Sequence, residues 1–419
     1  GWAPLVEPSL KTIYNINMAK DLFEKTKYPE IPKIKDSLLK PIAQAMVNIS
    51  TKVKKGEHVL ITYDSDSRQL AHELARLSIQ KGARVMSHVR DAEMSTVLAT
   101  YSSERDIMRS TGFIDLKIQQ ADVVFIIRAN RDIETMATVP PEKMAMATRA
   151  GRPISGDYRV NFTRWCLILW PTIQEAEFEG LDYAEYVELF LKSCDQPWQK
   201  IEEAQKVLVG LLDKAFILTL KANTNDPDPR RRTELAMNIE PMRFANSTID
   251  CNFPGSEVFS SPVKQSVEGQ LFAAGKYSYD GHIMEDIYFK VKNGKIQNEK
   301  ARVGGEYLQN ILNRDEGARY FGEVALGTNP GLRQRLFNPL LNEKVGGSFH
   351  ITPGKAYEME MYDGKVVNVD NGNRSDIHWD ITIPMLPAYG GGEVLLDGKT
   401  LQKDGKFLDP RLAVLNKGL

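Results

Sequence analysis

Apolar residues along this chain follow two patterns, and the change between them divides it. In the first half, His58-Val59-Leu60-Ile61-Thr62-Tyr63 is an apolar run of strand length, as expected for a strand buried on both faces. From Ser67 the residues Leu70, Leu74, Leu77 and Ser78 recur at helical spacing until Gly82 ends the helix. Arg84 to Val89, Val123 to Ile127 and Leu167 to Trp170 read as further buried strands, with a helix over Pro141 to Ala150 between the last two. Such alternation predicts an open α/β domain around a mostly parallel sheet. Its first strand-to-helix turn, Tyr63-Asp64-Ser65-Asp66-Ser67, lacks the glycines that let a pyrophosphate approach the backbone, so no dinucleotide site is expected. Tyr183 to Ala215 reads as helical with a break at Pro197, and the polar stretch 223–232, with two prolines, as an exposed loop. Beyond it come short strands and turns. Ile287 to Lys292, then Asn293-Gly294, then Lys295-Ile296, predicts a hairpin. We therefore expect an α/β domain over 1–214 and a strand-rich α+β domain over 215–419.

Size supports that division, because 419 residues exceed the roughly 250–300 at which single cores stop growing. Lysine plus arginine (54) nearly cancels aspartate plus glutamate (55), leaving no net field to recruit nucleic acid or an anionic membrane. A small molecule or peptide is the expected partner. Cys166, Cys194 and Cys251 lie far apart without CxxC spacing, against a disulfide framework or a thiolate-ligated zinc. Gly1 to Lys20 has no basic segment leading into an apolar one, and no later stretch approaches about 18 apolar residues. The expectation is a cytoplasmic protein that does not insert in membranes.

Histidines and carboxylates carry the candidate chemistry. His58, His72 and His88 lack carboxylates at ligand spacing and read as structural or surface residues. Ile377-His378-Trp379-Asp380 differs, since alternation along an extended segment puts an imidazole and a carboxylate on one face. Asn252-Phe253-Pro254-Gly255-Ser256-Glu257-Val258-Phe259 sets a carboxylate between a turn and an apolar strand, and Gly322-Glu323-Val324-Ala325-Leu326 buries another. A buried ionised glutamate needs a partner, for which a bound cation or a buried arginine would serve. Ser348-Phe349-His350-Ile351 puts a histidine in an apolar strand, followed by Gly354 and Tyr357. His378 and Asp380 alone are at best as readily a ligand pair as a surface pair, each of the other patterns alone is more readily structural than catalytic, and Tyr357 by itself reads as a core-filling strand tyrosine.

Together these segments resemble the M29 aminopeptidase family, the aminopeptidase T and S type. The resemblance is carried by NFPGSEVF at 252–259, DEGARYFGEVAL at 315–326, FH and AY within 349–357, and IHWD at 377–380. It extends through Trp170-Pro171-Thr172, Asp182-Tyr183-Ala184-Glu185-Tyr186 and the closing Asp397-Gly398-Lys399 and Asp404-Gly405-Lys406-Phe407. The order Glu257, Glu323, His350, His378, Asp380 matches the family's metal ligands, and the step from His350 to Tyr357 matches its catalytic tyrosine. The resemblance implies a cocatalytic two-metal centre in the C-terminal domain and removal of N-terminal residues from peptides. It also implies a homodimer whose N-terminal domains limit access. Nitrogen and oxygen ligands without thiolate suit zinc, cobalt or manganese. The expected reaction is attack of metal-bound water on the scissile carbonyl, with Tyr357 hydrogen-bonding the oxyanion and a non-bridging carboxylate, Glu257 or Glu323, carrying the proton.

The match has departures. Ile381-Thr382-Ile383-Pro384 follows IHWD where many members continue with a Met-Ile-Gly-like segment, and Leu341-Asn342-Glu343-Lys344 replaces an Asp-Glu-Asn-like one. Both bear on pocket shape. Asp315 and Glu316 read as helix-start residues, His282 as a turn residue, and Arg230 to Arg232 as a solvated loop. The enzymatic alternative is a mononuclear iron(II) ring-cleaving dioxygenase of the dihydroxypyridine type using His350, His378 and Asp380, which does not require Glu257 or Glu323. The non-enzymatic alternative is a metal-stabilised binding protein.

Overall fold

The computed structural model describes residues 30–419 apart from 111, 130–138, 280–281 and 363, so the Gly1–Lys20 segment and the Asp280-Gly281 turn lie outside the described residues. Ile34–Leu419 forms one compact unit. The alternating first half folds as its periodicity predicts. Strands Arg84–Arg90, His58–Asp64, Val123–Arg128 and Arg164–Leu169 lie side by side in that order, all parallel. Helix Arg68–Gln80 buries Leu70, Ala71, Leu74 and Ser78. The expected Tyr183 to Ala215 helix is two helices, Tyr183–Cys194 and Trp198–Leu212, with Pro197 as N-cap of the second. Asp182 and Glu185 close a capping box on the first, satisfying amide groups that would otherwise lack acceptors. Edge-to-face contacts of Trp170 with Phe190 (6.0 Å) and of Trp198 with Phe253 (5.6 Å) tie these helices to the sheet.

The parallel sheet gains a fifth strand, Cys251–Phe253, from the second half of the chain. The three cysteines are free. The second half is strand-rich, as expected. One antiparallel sheet of eight strands includes the hairpin His282–Lys292 and Lys295–Lys300. The hairpin turn uses positive φ at both Asn293 (49°) and Gly294 (75°), the geometry that Asn-Gly favours.

A second antiparallel sheet positions the candidate site. Its order is Ile381–Pro384, Ser348–Pro353, Phe321–Gly327, Glu257–Ser260, Ala245–Ser247. Glu257 lies opposite Gly327, Ala325 opposite His350, Glu323 opposite Thr352, and His350 opposite Thr382. Because side chains alternate, Glu257, Glu323, His350 and Thr352 share one face. The other face carries Val258, Val324, Leu326, Phe349, Ile351, Ile381 and Ile383 into the main core, which runs from Ile34 to Leu415. An irregularity in pairing between Phe321 and Glu323 sits beside the carboxylate, where a bulge re-aims a side chain.

Gly354 closes this sheet against the segment bearing His378. It pairs with His378 in an isolated bridge and adopts φ +111°, and a Cβ there would stand 2.1 Å from the Ile377 carbonyl oxygen. Gly354→Ala is expected to destabilise the chain by about 1–3 kcal/mol or more, read from its chemical denaturation midpoint. An unchanged midpoint would mean that the 377–378 segment yields freely.

Candidate metal centre

Glu257 begins its strand straight after Ser256, whose φ is +101°. A buried polar network holds this corner. The Gln205 side-chain amide donates to Ser256 Oγ (3.1 Å), the Glu257 carbonyl (3.3 Å) and Thr328 Oγ1 (2.9 Å), and Thr248 donates back to Gln205 Oε1 (2.6 Å). Glu323 stands between two imidazoles, its Oε1 3.2 Å from His350 Nε2 and its Oε2 3.2 Å from His378 Nε2. His350 Nε2 also lies 3.8 Å from Glu257 Oε2. Asp380 Oδ1 is 3.5 Å from His378 Nε2 and accepts from the Thr352 hydroxyl at 2.5 Å. The five side chains thus converge, in two groups sharing Glu323: Glu257, Glu323 and His350, and Glu323, His378 and Asp380. Within each group the ligand atoms lie within 4.8 Å of one another.

These groups fit a cation better than they fit each other. Glu257 Oε2 and His378 Nε2, which face the cluster, are buried without a hydrogen-bond partner among the described residues, and such groups are rare in native interiors. His378 Nδ1 lies 2.8 Å from the Lys355 carbonyl, to which it donates, so in the neutral ring Nε2 carries the lone pair and faces Glu323. This is the usual backing for a metal-ligating imidazole. Burial works against charge on His350, but Glu323 and the other carboxylates outweigh it and lift its pKa to about 9. Burial likewise opposes charge on His378, while Asp380 and Glu323 push it to about 10. The two imidazoles hold Glu323 down near 2 despite its burial.

Tyr357 is not the core-filling strand residue that its sequence context suggests. It lies beyond strand Ser348–Pro353 in an irregular segment and is 38% exposed. Its ring packs on Phe259 (5.4 Å) and on His378 (5.1 Å). A cavity of about 390 Å³ opens beside the second group, lined by His378, Trp379, Asp380, Glu343, Tyr277 and Arg335 among others.

Glu343 and Lys344 were absent from the expected site. Lys344 is fully buried, with its ammonium 2.5 Å from Glu257 Oε1 and 2.9 Å from Glu343 Oε2. Burial pushes the Glu343 carboxyl up to about 8, against the opposing pull of Lys344. In sequence a Glu-Lys pair in a loop reads as solvated, and its only signal was the departure from the family pattern. The other histidines stay outside: His58 faces Asp122 at 4.0 Å, and His282 stacks on Tyr307 at 3.8 Å. Asp315 accepts from the amides of Ala318 (2.8 Å) and Asp376 (2.7 Å), tying the short Gly317–Arg319 turn of helix to the segment before Ile377, while Glu316 is the N-cap residue without a side-chain cap bond. Arg230 and Arg231 pair with Asp228 and Asp226 in their exposed loop.

A family model described as thermophilic metalloprotease (M29) matches residues 35–389. Aminopeptidase AmpS of Bacillus subtilis (strain 168) is 25% identical over 88% of this chain and 95% of its own length. Wild-type AmpT from Thermus thermophilus superposes with a TM-score of 0.71 at 21% identity, covering 89% of this chain and 99% of that one. 2,5-Dihydroxypyridine dioxygenase from Pseudomonas putida KT2440 superposes with a TM-score of 0.51 at 13% identity, covering 91% and 100%. At these identities the two superpositions establish a shared fold. Among the described residues no helix is long and apolar enough to cross a membrane.

With pKa values near 9 and 10, both site histidines are protonated at neutral pH in the metal-free protein, whereas a ligating imidazole is neutral. Cation uptake near pH 7.5 is therefore expected to release protons, and affinity to rise with pH until it passes these values. Calorimetric titration in buffers of different ionisation enthalpy measures the release. Uptake with no proton release would exclude the histidines as ligands.

Proposed function

The chain belongs to the M29 family of metalloproteases, and on that premise we propose that it is a metal-dependent aminopeptidase removing residues from the free N-terminus of peptides. The observation that carries this reading is Glu323, which offers one oxygen to each histidine and so belongs to both ligand groups. That arrangement favours a two-ion centre of zinc, cobalt or manganese. Glu257, Glu323 and His350 would hold one ion, and Glu323, His378 and Asp380 the other. When bound, such ions acidify water and polarise a carbonyl near neutral pH. The mononuclear triad of the dioxygenase alternative is less well supported, because His350 and His378 face opposite oxygens of Glu323 rather than a common point.

The chain's own residues supply the rest of the reaction. Tyr357, exposed at the site and tilted against His378, donates its hydroxyl proton in a hydrogen bond to the oxyanion. Glu343 is the proton carrier: it pairs with Lys344 (2.9 Å), as Glu257 also does, but it belongs to neither ligand group and lies on the cavity wall beside His378 and Asp380. The cavity beside His378 and Asp380 receives the peptide. Residues 215–419 carry the chemistry in this reading, and the part up to 214 restricts access within a homodimer in the cytoplasm.

The deciding experiment counts metals in protein purified without chelator and assays the same sample on aminoacyl amides and their N-blocked counterparts. About two ions per chain, with turnover only of free-amine substrates, is the expected result. One iron per chain and no amide turnover would overturn the proposal. Tyr357→Phe is expected to lower kcat by about 10²–10³-fold with KM little changed, and Glu343→Gln by roughly 10²–10⁴-fold. Equal losses in kcat and in metal content would instead make either residue structural.

A further inference from the structure

Lys344 exposes none of its surface, and the partners of its ammonium are Glu257 Oε1 and Glu343 Oε2. Backbone bonds fix the loop that carries it: Lys344 N–H donates to the Leu341 carbonyl (3.1 Å), and Asn329 N–H donates to the Lys344 carbonyl (3.0 Å). One oxygen of Glu257 is thereby engaged by a fixed positive charge. Oε2, which has no hydrogen-bond partner among the described residues, is left for an ion at the Glu257, Glu323 and His350 corner. The opposite corner differs. Asp380 takes a neutral hydroxyl from Thr352, His378 is backed by a carbonyl, and no lysine or arginine pairs with Asp380 among the described residues. Like charges sharing one buried carboxylate repel strongly where water is excluded.

We propose that Lys344 makes the two cation positions unequal, so that a divalent ion is held tightly by Glu323, His378 and Asp380 and only weakly and exchangeably by Glu257, Glu323 and His350. The inference rests on the two-ion reading above. It assigns this chain a resident ion and an activating ion, with the ammonium as a built-in competitor for the second position.

The test is titration of the full chain, stripped of metal, with Co²⁺, followed by calorimetry and visible absorption. Two steps are expected, separated by at least about tenfold in Kd. Asp380→Asn should remove the tighter step and keep the weaker, and Glu257→Gln should do the reverse. Lys344→Met, checked for folding by circular dichroism and thermal melting, should bring the two Kd values together by tightening the weaker. If that variant does not fold, Lys344→Gln, which removes the charge and keeps a polar end group for Glu257, is titrated in its place. Two equal steps in the unaltered chain, loss of the weaker step in Asp380→Asn, or a folded Lys344→Met with unchanged Kd values would overturn the inference and leave the two-ion reading standing. No Co²⁺ uptake at all would sink both.

Discussion

A carboxylate inside a protein must meet positive charge, and the site is organised around that requirement at Glu323. The residue is 3% exposed on a strand whose neighbours are apolar. Leaving it ionised without a counter-charge would cost several kcal/mol. Two imidazoles meet its two oxygens from opposite sides. Each of them in turn meets a further carboxylate, Glu257 or Asp380, and Glu257 meets Lys344. The chain of alternating charges runs across four strands or strand approaches, so the sheet register and the electrostatics specify one another. A slip of one residue in strand Ser348–Pro353 would carry His350 to the apolar face and strand Glu323 without its partner.

This mutual dependence bears on how much was legible in the sequence. Strand alternation around Glu323 and His350, and the HxD spacing of His378 and Asp380, depend on local geometry that a sequence states directly. The alternating strands and helices of the first half likewise follow from short-range pattern. What could not be read is what depends on contact across the chain. Lys344 lies 87 positions from Glu257, and nothing local distinguishes a lysine that will be buried from one in water. Glu343 was overlooked for the same reason. Which glutamate stands between the histidines also stayed open, because it is decided by the positions of three strands relative to one another. The surroundings of Tyr357 are not legible locally either, since the end of the preceding strand is set by Gly354 and the 377–378 segment rather than by the apolar residues before it.

The shared-fold comparisons sharpen the same distinction. One framework accommodates proteins named as an aminopeptidase and as a dioxygenase, so the scaffold does not choose the chemistry. In this chain Glu257 and Glu323 share a ligand group with His350, and Glu343 reaches the same cluster through Lys344.

The strand Cys251–Phe253 hydrogen-bonds into the parallel sheet, and only Pro254, Gly255 and Ser256 separate it from Glu257. Mechanically, the α/β layer and the acidic cluster are spliced by a three-residue tether too short to absorb a large rotation, since a chain spans at most about 3.6 Å per residue. The two layers belong to one compact unit, Ile34–Leu419, so a displacement of the sheet is passed directly to the cluster.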